Sequence, residues 1–447
     1  MAHLIFYANR LIKAGTVLSA FCFLLILATP VIPAAGQSLS GYERSLGCQM
    51  LELTKQDIKK NYYDPAIRGY DLDANFKVAD EQITSAKTLS EIFGIIGTAV
   101  TAIDDSHTFF IPPPMTHVVD YGWHMKVFGD TCYVVAVRPG SDAEKKGMKV
   151  GDRVVEVDGI VLTRGNLWKM KYAYRVMPRV GMSVVLQSPD GSQRKLEALA
   201  KVELDPRVTA MSRYDYYIHT VREIQAEARL YEHRYYQAQD VVIWKMPDFD
   251  FPDTGVRDIV GKMRKSKAVI LDLRGNPGGI VKTLQTFVGY FFDHDVRIAE
   301  LKGRKEKAPI VGKSQGKDSF PGKLIVLVDS GSASAAEVFA RVVQLEKRGT
   351  VIGDRTAGAV MQAKFFEHEG GANNAISYGS FIANADLIMV DGASLERVGV
   401  TPDELMLPGA TELATNHDPV LTRAARLAGM DLAPDKAGAM FPVVWPK

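Results

Sequence analysis

The chain has 447 residues, more than one modest domain holds and enough for two or three compact units of roughly 100 to 200 residues each. Hydrophobic residues make up 47% and charged residues 24%, which excludes disorder for the bulk of the chain. Lys and Arg total 54 against 52 for Asp and Glu, so net charge gives no warrant for a nucleic-acid partner.

Residues 1–36 carry the pattern of an export signal: basic Arg10 and Lys13, an apolar run from Val17 to Ala28, and small residues at Ala34-Ala35-Gly36 before Gln37. A retained membrane anchor is the alternative, because Ala14 to Ala35 has spanning length. Either way the expected location is periplasmic or extracellular, with membrane association if the segment stays. Of the three cysteines, Cys22 lies in this segment behind bulky Phe21, where a lipoprotein signal needs a small residue. Cys48 and Cys132 can pair in an oxidising compartment or remain buried thiols. Neither sits in a His/Cys cluster, so no metal and no cofactor is expected.

Residues 37–112 are expected to form a helical domain. One helix runs from about Tyr42 to Ile58, with Leu46, Met50 and Leu53 at steps of four and three. A second runs from about Thr88 to Ile103 on the face of Leu89, Ile92, Ile96, Val100 and Ile103, and Asn61 to Pro65 breaks the stretch between them. Residues 118–202 change to short strands and Gly turns: a strand at Cys132 to Val137, a short helix from Ser141 stopped by Gly147, and Arg153 to Val157 closed by the hairpin pair Asp158-Gly159. A helix near Leu167 to Tyr174 and a strand at Met182 to Leu186 complete a compact, partly open barrel that resembles a PDZ domain. The nearest match to such a domain's carboxylate-binding loop is Asp120 to Met125. PDZ folds take a chain end as an added strand, and a plain structural spacer is the alternative.

Residues 205–411 alternate buried strand runs (Val241 to Trp244, Ala268 to Leu273, Leu324 to Val328, Val351 to Gly353) with helical patterns at Val256 to Arg264, Val281 to Phe291 and Ala335 to Leu345. That alternation predicts an α/β domain with a largely buried sheet. The tail, 412–447, carries a short helix near Leu421 to Leu427 and then an extended Pro- and Gly-rich end.

Two strand-to-helix loops could carry chemistry. In Asp329-Ser330-Gly331-Ser332-Ala333-Ser334-Ala335-Ala336-Glu337, small neighbours leave room for a substrate backbone, and helix N-terminal amides can stabilise negative charge. Serine is also an ordinary N-cap, so this loop alone decides nothing. Asp272-Leu273-Arg274-Gly275-Asn276-Pro277-Gly278-Gly279 is the second, its paired glycines able to point amides into a cleft. Such loops gather outside the carboxyl ends of a parallel sheet, so both can face one site. Of nine histidines, His107 stands in a dense polar setting, after Asp104-Asp105-Ser106, where it could serve as a base.

These pieces, with Glu396 through Gly399-Val400-Thr401-Pro402-Asp403, resemble the C-terminal processing peptidases (family S41), and within them the tricorn-like branch, in the family's order from residue 41 to about 405. The resemblance implies a multidomain α/β protein: a helical domain, a PDZ-like domain and an α/β peptidase core of the ClpP/crotonase type. It implies a serine endopeptidase with Ser334 as nucleophile, His107 as base, the amides of Gly278 and Ala335 as oxyanion donors, and Ser106 and Glu396 beside the histidine. Its partners would be protein or peptide substrates, presented through their C-terminal segments by the PDZ-like domain. One departure stands out. The better-known members pair the serine with a lysine twenty-five residues later, and here that position is Ala359. Lys364 as base, a catalytically inactive peptide-binding scaffold, and a small-molecule esterase or amidase stay open as alternatives.

Overall fold

The computed structural model describes residues 39–115, 117–204, 232–238, 240–251, 253–371 and 376–445. The expected export segment lies outside the described residues, as does 205–231.

Helix α1, Gly41–Asn61, opens on a capping box: Ser40 Oγ accepts from the Glu43 amide while the Glu43 carboxylate accepts from the Ser40 amide. It ends at Asn61, where the expected break begins, with Tyr62 as its C-cap. A helix absent from the sequence expectation follows, α2, Leu72–Ser85, capped by Asp71 and burying Leu72, Phe76, Ala79 and Ile83. Helix α3, Leu89–Thr101, starts at Thr88 and buries Ile92, Ile96 and Val100. The chain then turns through Asp104 to His107 into a short strand, β1, Phe109–Ile111.

Next come β2 (His117–Asp120), β3 (Trp123–Phe128), β4 (Thr131–Val137), α4 (Asp142–Lys145), β5 (Arg153–Val157), β6 (Ile160–Val161), α5 (Leu167–Val176), β7 (Gly181–Gln187), β8 (Gln193–Leu199) and β9 (Lys201–Leu204). Five of these strands form one sheet in the order β3-β4-β5-β7-β8, with β6 on β5, while β2 and β9 make a separate antiparallel ribbon. Met125, Val127, Val134, Val157, Met170 and Val184 share its core.

The remaining strands are β10 (Arg234–Ala238), β11 (Val241–Lys245), β12 (Ala268–Asp272), β13 (Val296–Lys302), β14 (Ile310–Gly312), β15 (Lys323–Val328), β16 (Gly349–Gly353), β17 (Met361–Gly370), β18 (Ile376–Met389) and β19 (Glu404–Leu405). Helices α6 (Asp253–Met263), α7 (Val281–Phe291) and α8 (Ala335–Leu345) fall among them, and α9 (Ala410–Ala414), α10 (Pro419–Leu427) and α11 (Pro434–Ala439) follow. One sheet runs β10-β11-β12-β15-β16-β19; every pair from β11 to β19 is parallel. All five residues of β11 and of β12 are buried, because both faces of the sheet are covered. On one face, Val242, Trp244, Val269 and Val326 pack with Phe287 and Phe339 of α7 and α8. On the other, Ile243, Ile270, Ile325 and Ile352 pack with Val420, Leu421, Ala424 and Ala425 of α10. The tail therefore does not run out as an extended end: α10 and α11 close the sheet's second face.

A second sheet, β1-β18-β13-β14 with β17 also on β18, joins the helical part to the parallel sheet. Tyr378, Ile382 and Ala383 of β18 belong to the same core as Met50, Phe76, Ile92 and Phe110. Cys48, on α1, and Cys132, on β4, are not joined in a disulfide.

Candidate active site

Strand β15 delivers Val328 to the carboxyl edge of the parallel sheet, and the chain reaches α8 through Asp329 to Ser334. Ser334 has φ 53° and ψ −119°, a left-handed conformation that costs a non-glycine residue about 1–3 kcal/mol and persists only where its surroundings enforce it. The enforcing contacts are visible. The Ser334 amide donates to Ala359 O (2.9 Å) and to Glu337 Oε2 (3.1 Å), and the Ala333 amide donates to Asn276 O (2.8 Å). Ser332, fully buried, donates its hydroxyl to Leu273 O at 2.8 Å and accepts from the Asp329 amide at 2.9 Å. A sharp, strained strand-to-helix turn of this kind exposes a serine hydroxyl at the top of an α/β sheet.

The loop after β12 lies against this turn. A Cβ on Gly278 would fall 2.6 Å from Ser334 Cβ and 2.8 Å from the Ala335 nitrogen, so only glycine fits there, with φ +96°. Ala335 is the first residue of α8, and its amide has no acceptor within the helix. The Gly278 amide, by contrast, donates to Asn276 Oδ1 at 2.8 Å, and Asn276, fully buried, is pinned in turn to Met246 O. Of the two expected oxyanion donors, one is therefore held by a side chain in this structure.

His107 sits between α3 and β1. Its neighbours anchor it: Thr108 Oγ1 accepts from the Ala383 amide at 3.1 Å, and Phe109 pairs with Phe381 of β18. The Asp105 carboxylate accepts from the His107 amide (2.8 Å) and from the Tyr62 hydroxyl (3.0 Å), which ties the turn to the end of α1. Ser106 joins His107 to Glu396. Its hydroxyl donates to Glu396 Oε2 at 2.7 Å and lies 2.7 Å from His107 Nδ1, while its amide donates to Glu396 Oε1 at 3.0 Å. With the Ser106 hydroxyl donating to Glu396, its oxygen accepts from Nδ1–H, and Nε2 is left with the lone pair. Burial lowers the His107 pKa below its ordinary 6.5, opposed by the Asp105 charge. Burial, reinforced by Asp105, pushes Glu396 up to about 7.

Ala359, where a lysine would stand in the better-known members, lies between two buried carboxylates. Glu337 accepts from the amides of Gly358 and Ala359 (both 2.8 Å) as well as from Thr356 and Ser334, and Glu396 accepts from the Val360 amide at 2.9 Å. Glu337 is fully buried and its pKa rises to about 7 through desolvation. Sequence reading quoted Glu337 without a role, although its place three residues after Ser334 is the capping-box spacing that could have flagged it.

Ser334, Ala333, Ala359, Gly279, Ser106 and His107 line one cavity of about 1210 Å³, whose other walls come from β2, β3 and α5. The sequence-predicted residues Ser334, His107 and Ser106 thus share one space. Glu396, Gly278 and Ala335 stand directly behind it through the contacts above. Among the described residues no hydrogen bond joins the Ser334 hydroxyl to His107. Lys364 is exposed on β17, its ammonium over the Phe366 ring at 5.4 Å, and is not part of the cavity wall. Among the described residues, no group of three or more His, Cys, Asp or Glu is placed to hold a metal ion.

Comparison with known proteins gives this geometry a context. The model of Peptidase family S41 matches residues 240–406, and that of the PDZ domain matches residues 133–175. The carboxyl-terminal-processing protease of Picosynechococcus sp. is 23% identical over 338 residues, 72% of this chain and 74% of that protein. The carboxy-terminal processing protease CtpA of Bacillus subtilis is 25% identical over 60% of this chain and 52% of that protein, and the chloroplastic C-terminal processing peptidase of Tetradesmus obliquus 26% identical over 77% and 73%. Among solved structures, mature CPAF complexed with lactacystin aligns with a TM-score of 0.60 at 14% identity, over 83% of this chain and 95% of that one, a likeness of fold. The matches show a Peptidase family S41 domain at residues 240–406, which holds the sheet that presents Ser334, and a PDZ domain at residues 133–175 in the module that walls the cavity, so the chain is a serine peptidase that carries a PDZ domain.

Proposed function

We propose that this protein is an endopeptidase that cleaves peptide bonds of protein substrates, with Ser334 as nucleophile and His107 as general base. Ser334 attacks the scissile carbonyl, and the Ala335 amide takes up the developing oxyanion together with Gly278 once a substrate draws that amide from Asn276. His107 Nε2 receives the serine proton and returns it to the leaving amine, with Ser106 and Glu396 holding Nδ1–H. Water then releases the acyl-enzyme. Substrate chain ends enter along β3 and α5, whose side chains wall the same cavity, so guidance from the C-terminal side follows. The basic and apolar pattern of residues 1–36 supports export, to a periplasmic or extracellular site.

The observation that carries this reading is the Glu396-Ser106-His107 chain of 2.7 Å contacts opening on the same cavity as the strained Ser334. Lys364 has neither burial nor cavity access to favour it as the base. A scaffold that holds peptides without turnover is the second reading, and the Gly278 amide engaged by Asn276 favours it. Digestion of denatured proteins by wild type, Ser334→Ala, His107→Ala and Lys364→Ala decides between them. Loss of cleavage in the first two variants and retention in the third is expected; full activity of His107→Ala with loss in Lys364→Ala would reverse the assignment of the base. Wild-type protein that neither cleaves nor labels with a fluorophosphonate probe would favour the scaffold.

A further inference from the structure

Strand β3 belongs to the PDZ-like sheet, yet its face away from that module's core carries a buried lysine. Trp123, Met125 and Val127 face that module's own core, and the alternation of the strand turns Lys126 the opposite way, toward the peptidase core. There Lys126, 6% exposed, donates from Nζ to Asp329 Oδ2 at 2.7 Å, and Asp329 is 3% exposed. The other oxygen of Asp329 accepts from the Gly275 amide at 2.8 Å and the Gly331 amide at 2.9 Å. One carboxylate therefore ties the Gly275–Gly279 loop to the turn that carries Ser334. Beside it, the Ser330 hydroxyl donates to Val127 O, so the same strand also grips the turn through its backbone. A second pair seals the contact further out: Arg164 Nη2 lies 2.5 Å from Asp354 Oδ2, which also accepts from the Gly129 amide.

A carboxylate this deeply buried is stable in its charged form only with a partner, and here the positive partner comes from the other module. From this arrangement we infer that Lys126 is a positioning residue for catalysis, and that the PDZ-like module is an integral part of the catalytic centre even for substrates too small to reach its peptide groove. Lys126 touches no reacting atom. Without it, the unpaired Asp329 charge draws water or protein donors toward itself and the two loops lose their common anchor, so the Ser334 hydroxyl and the oxyanion amides drift apart.

This inference rests on Ser334 being the nucleophile, and the test keeps the two claims apart. A fluorophosphonate probe and a short fluorogenic peptide are used on the full chain, with circular dichroism and thermal unfolding for each variant. Lys126→Met is expected to label about 100-fold more slowly, the scale of loss when reacting groups are misplaced by about 1 Å, and to lose kcat with little change in KM. In Lys126→Met/Asp329→Asn, the amide oxygen still accepts from Gly275 and Gly331 and no orphan charge remains, so labelling recovers about ten-fold relative to the single variant. If Lys126→Met does not fold, Asp329→Asn carries the test by removing the charge that the Lys126 ammonium contacts, and slowed labelling is again expected. Labelling of Lys126→Met or of Asp329→Asn at the wild-type rate, a loss confined to KM, or a double variant as slow as Lys126→Met would each overturn the inference. Labelling of Ser334→Ala would refute the nucleophile instead; no labelling there with wild-type labelling of Lys126→Met would refute this inference alone.

Discussion

In the proposed mechanism, Ser106 makes the histidine usable as a base. Imidazole whose Nδ1 is unfixed samples both tautomers and two ring orientations, and a base must present one nitrogen consistently. Here a hydroxyl fixes the ring and a carboxylate fixes the hydroxyl, so the proton needed on Nδ1 is held at one remove from Glu396. Ser106→Ala is therefore expected to lower kcat on a fluorogenic peptide by about 10- to 100-fold with KM nearly unchanged, since a misoriented base forfeits much of general-base catalysis. Unaltered kcat would remove Ser106 from the mechanism. The pH profile carries a second expectation. Because the folded protein depresses the His107 pKa, the ring stays neutral, and able to accept a proton, to lower pH than a free histidine does. The acid limb of kcat/KM contributed by His107 should fall below 6.5, the ordinary value; a limb near 7 that Glu396→Gln removes belongs to Glu396, and one above 6.5 that survives Glu396→Gln would contradict the lowered imidazole pKa.

At the scale of elements, the segment from Thr356 to Val360 lies between the contacts of the proposed nucleophile and those of the proposed base. Gly358 and Ala359 hang from Glu337, at the start of α8, and Val360 hangs from Glu396, which also holds Ser106. Where other members place a catalytic lysine, this chain has a brace. Glu337→Ala should lower both kcat and the melting temperature, because four donors lose a buried acceptor, each at about 1–3 kcal/mol before relaxation. Measurement of kcat beside thermal unfolding checks this, and a variant with wild-type kcat would show the brace to be dispensable. Such a brace is hard to see in a sequence, because its contacts run from side chain to backbone between segments far apart. The elements themselves were easier. Apolar runs at Val241, Ala268, Leu324 and Val351 announce strands buried on both faces, and α7 and α8 fall where their periodicity puts them. Helix α2 escaped notice because its apolar positions Leu72, Phe76, Ala79 and Ile83 are diluted by eight charged or polar neighbours among fourteen residues. The hairpin of β17 and β18 escaped because Lys364, Glu367, His368 and Glu369 interrupt any clean alternation. Family resemblance singles out Ser334 and His107, and both line one cavity; the contact of Lys126 with Asp329 has no such signal, since nothing local links positions 203 residues apart.

Taken whole, the molecule is held by a parallel sheet covered on both faces, with α10 of the tail supplying one cover. Leu421, fully buried there, should cost about 2–5 kcal/mol of unfolding free energy on truncation to Ala, read by denaturant titration. A loss below about 1 kcal/mol would mean the tail is not part of the folded core. Stability should also depend on pH through Glu337, whose folded pKa of about 7 lies above its ordinary 4.5. A raised carboxyl pKa contributes stability that is complete below 4.5 and is lost as pH rises toward 7. Wild type should accordingly lose stability relative to Glu337→Gln between pH 5 and pH 7.5, whatever their absolute offset. A difference that stays constant across that window would contradict it.

In the proposed reaction, the imidazole at the end of the helical part activates the hydroxyl at the end of β15. The rate of fluorophosphonate labelling, measured from pH 5 to pH 9 on wild type, His107→Ala and Ser334→Ala, tests it most directly. Ser334→Ala is expected not to label, and His107→Ala to label about 100- to 10,000-fold more slowly, without the wild-type acid limb. A His107→Ala protein that labels at the wild-type rate with the wild-type pH dependence would contradict it.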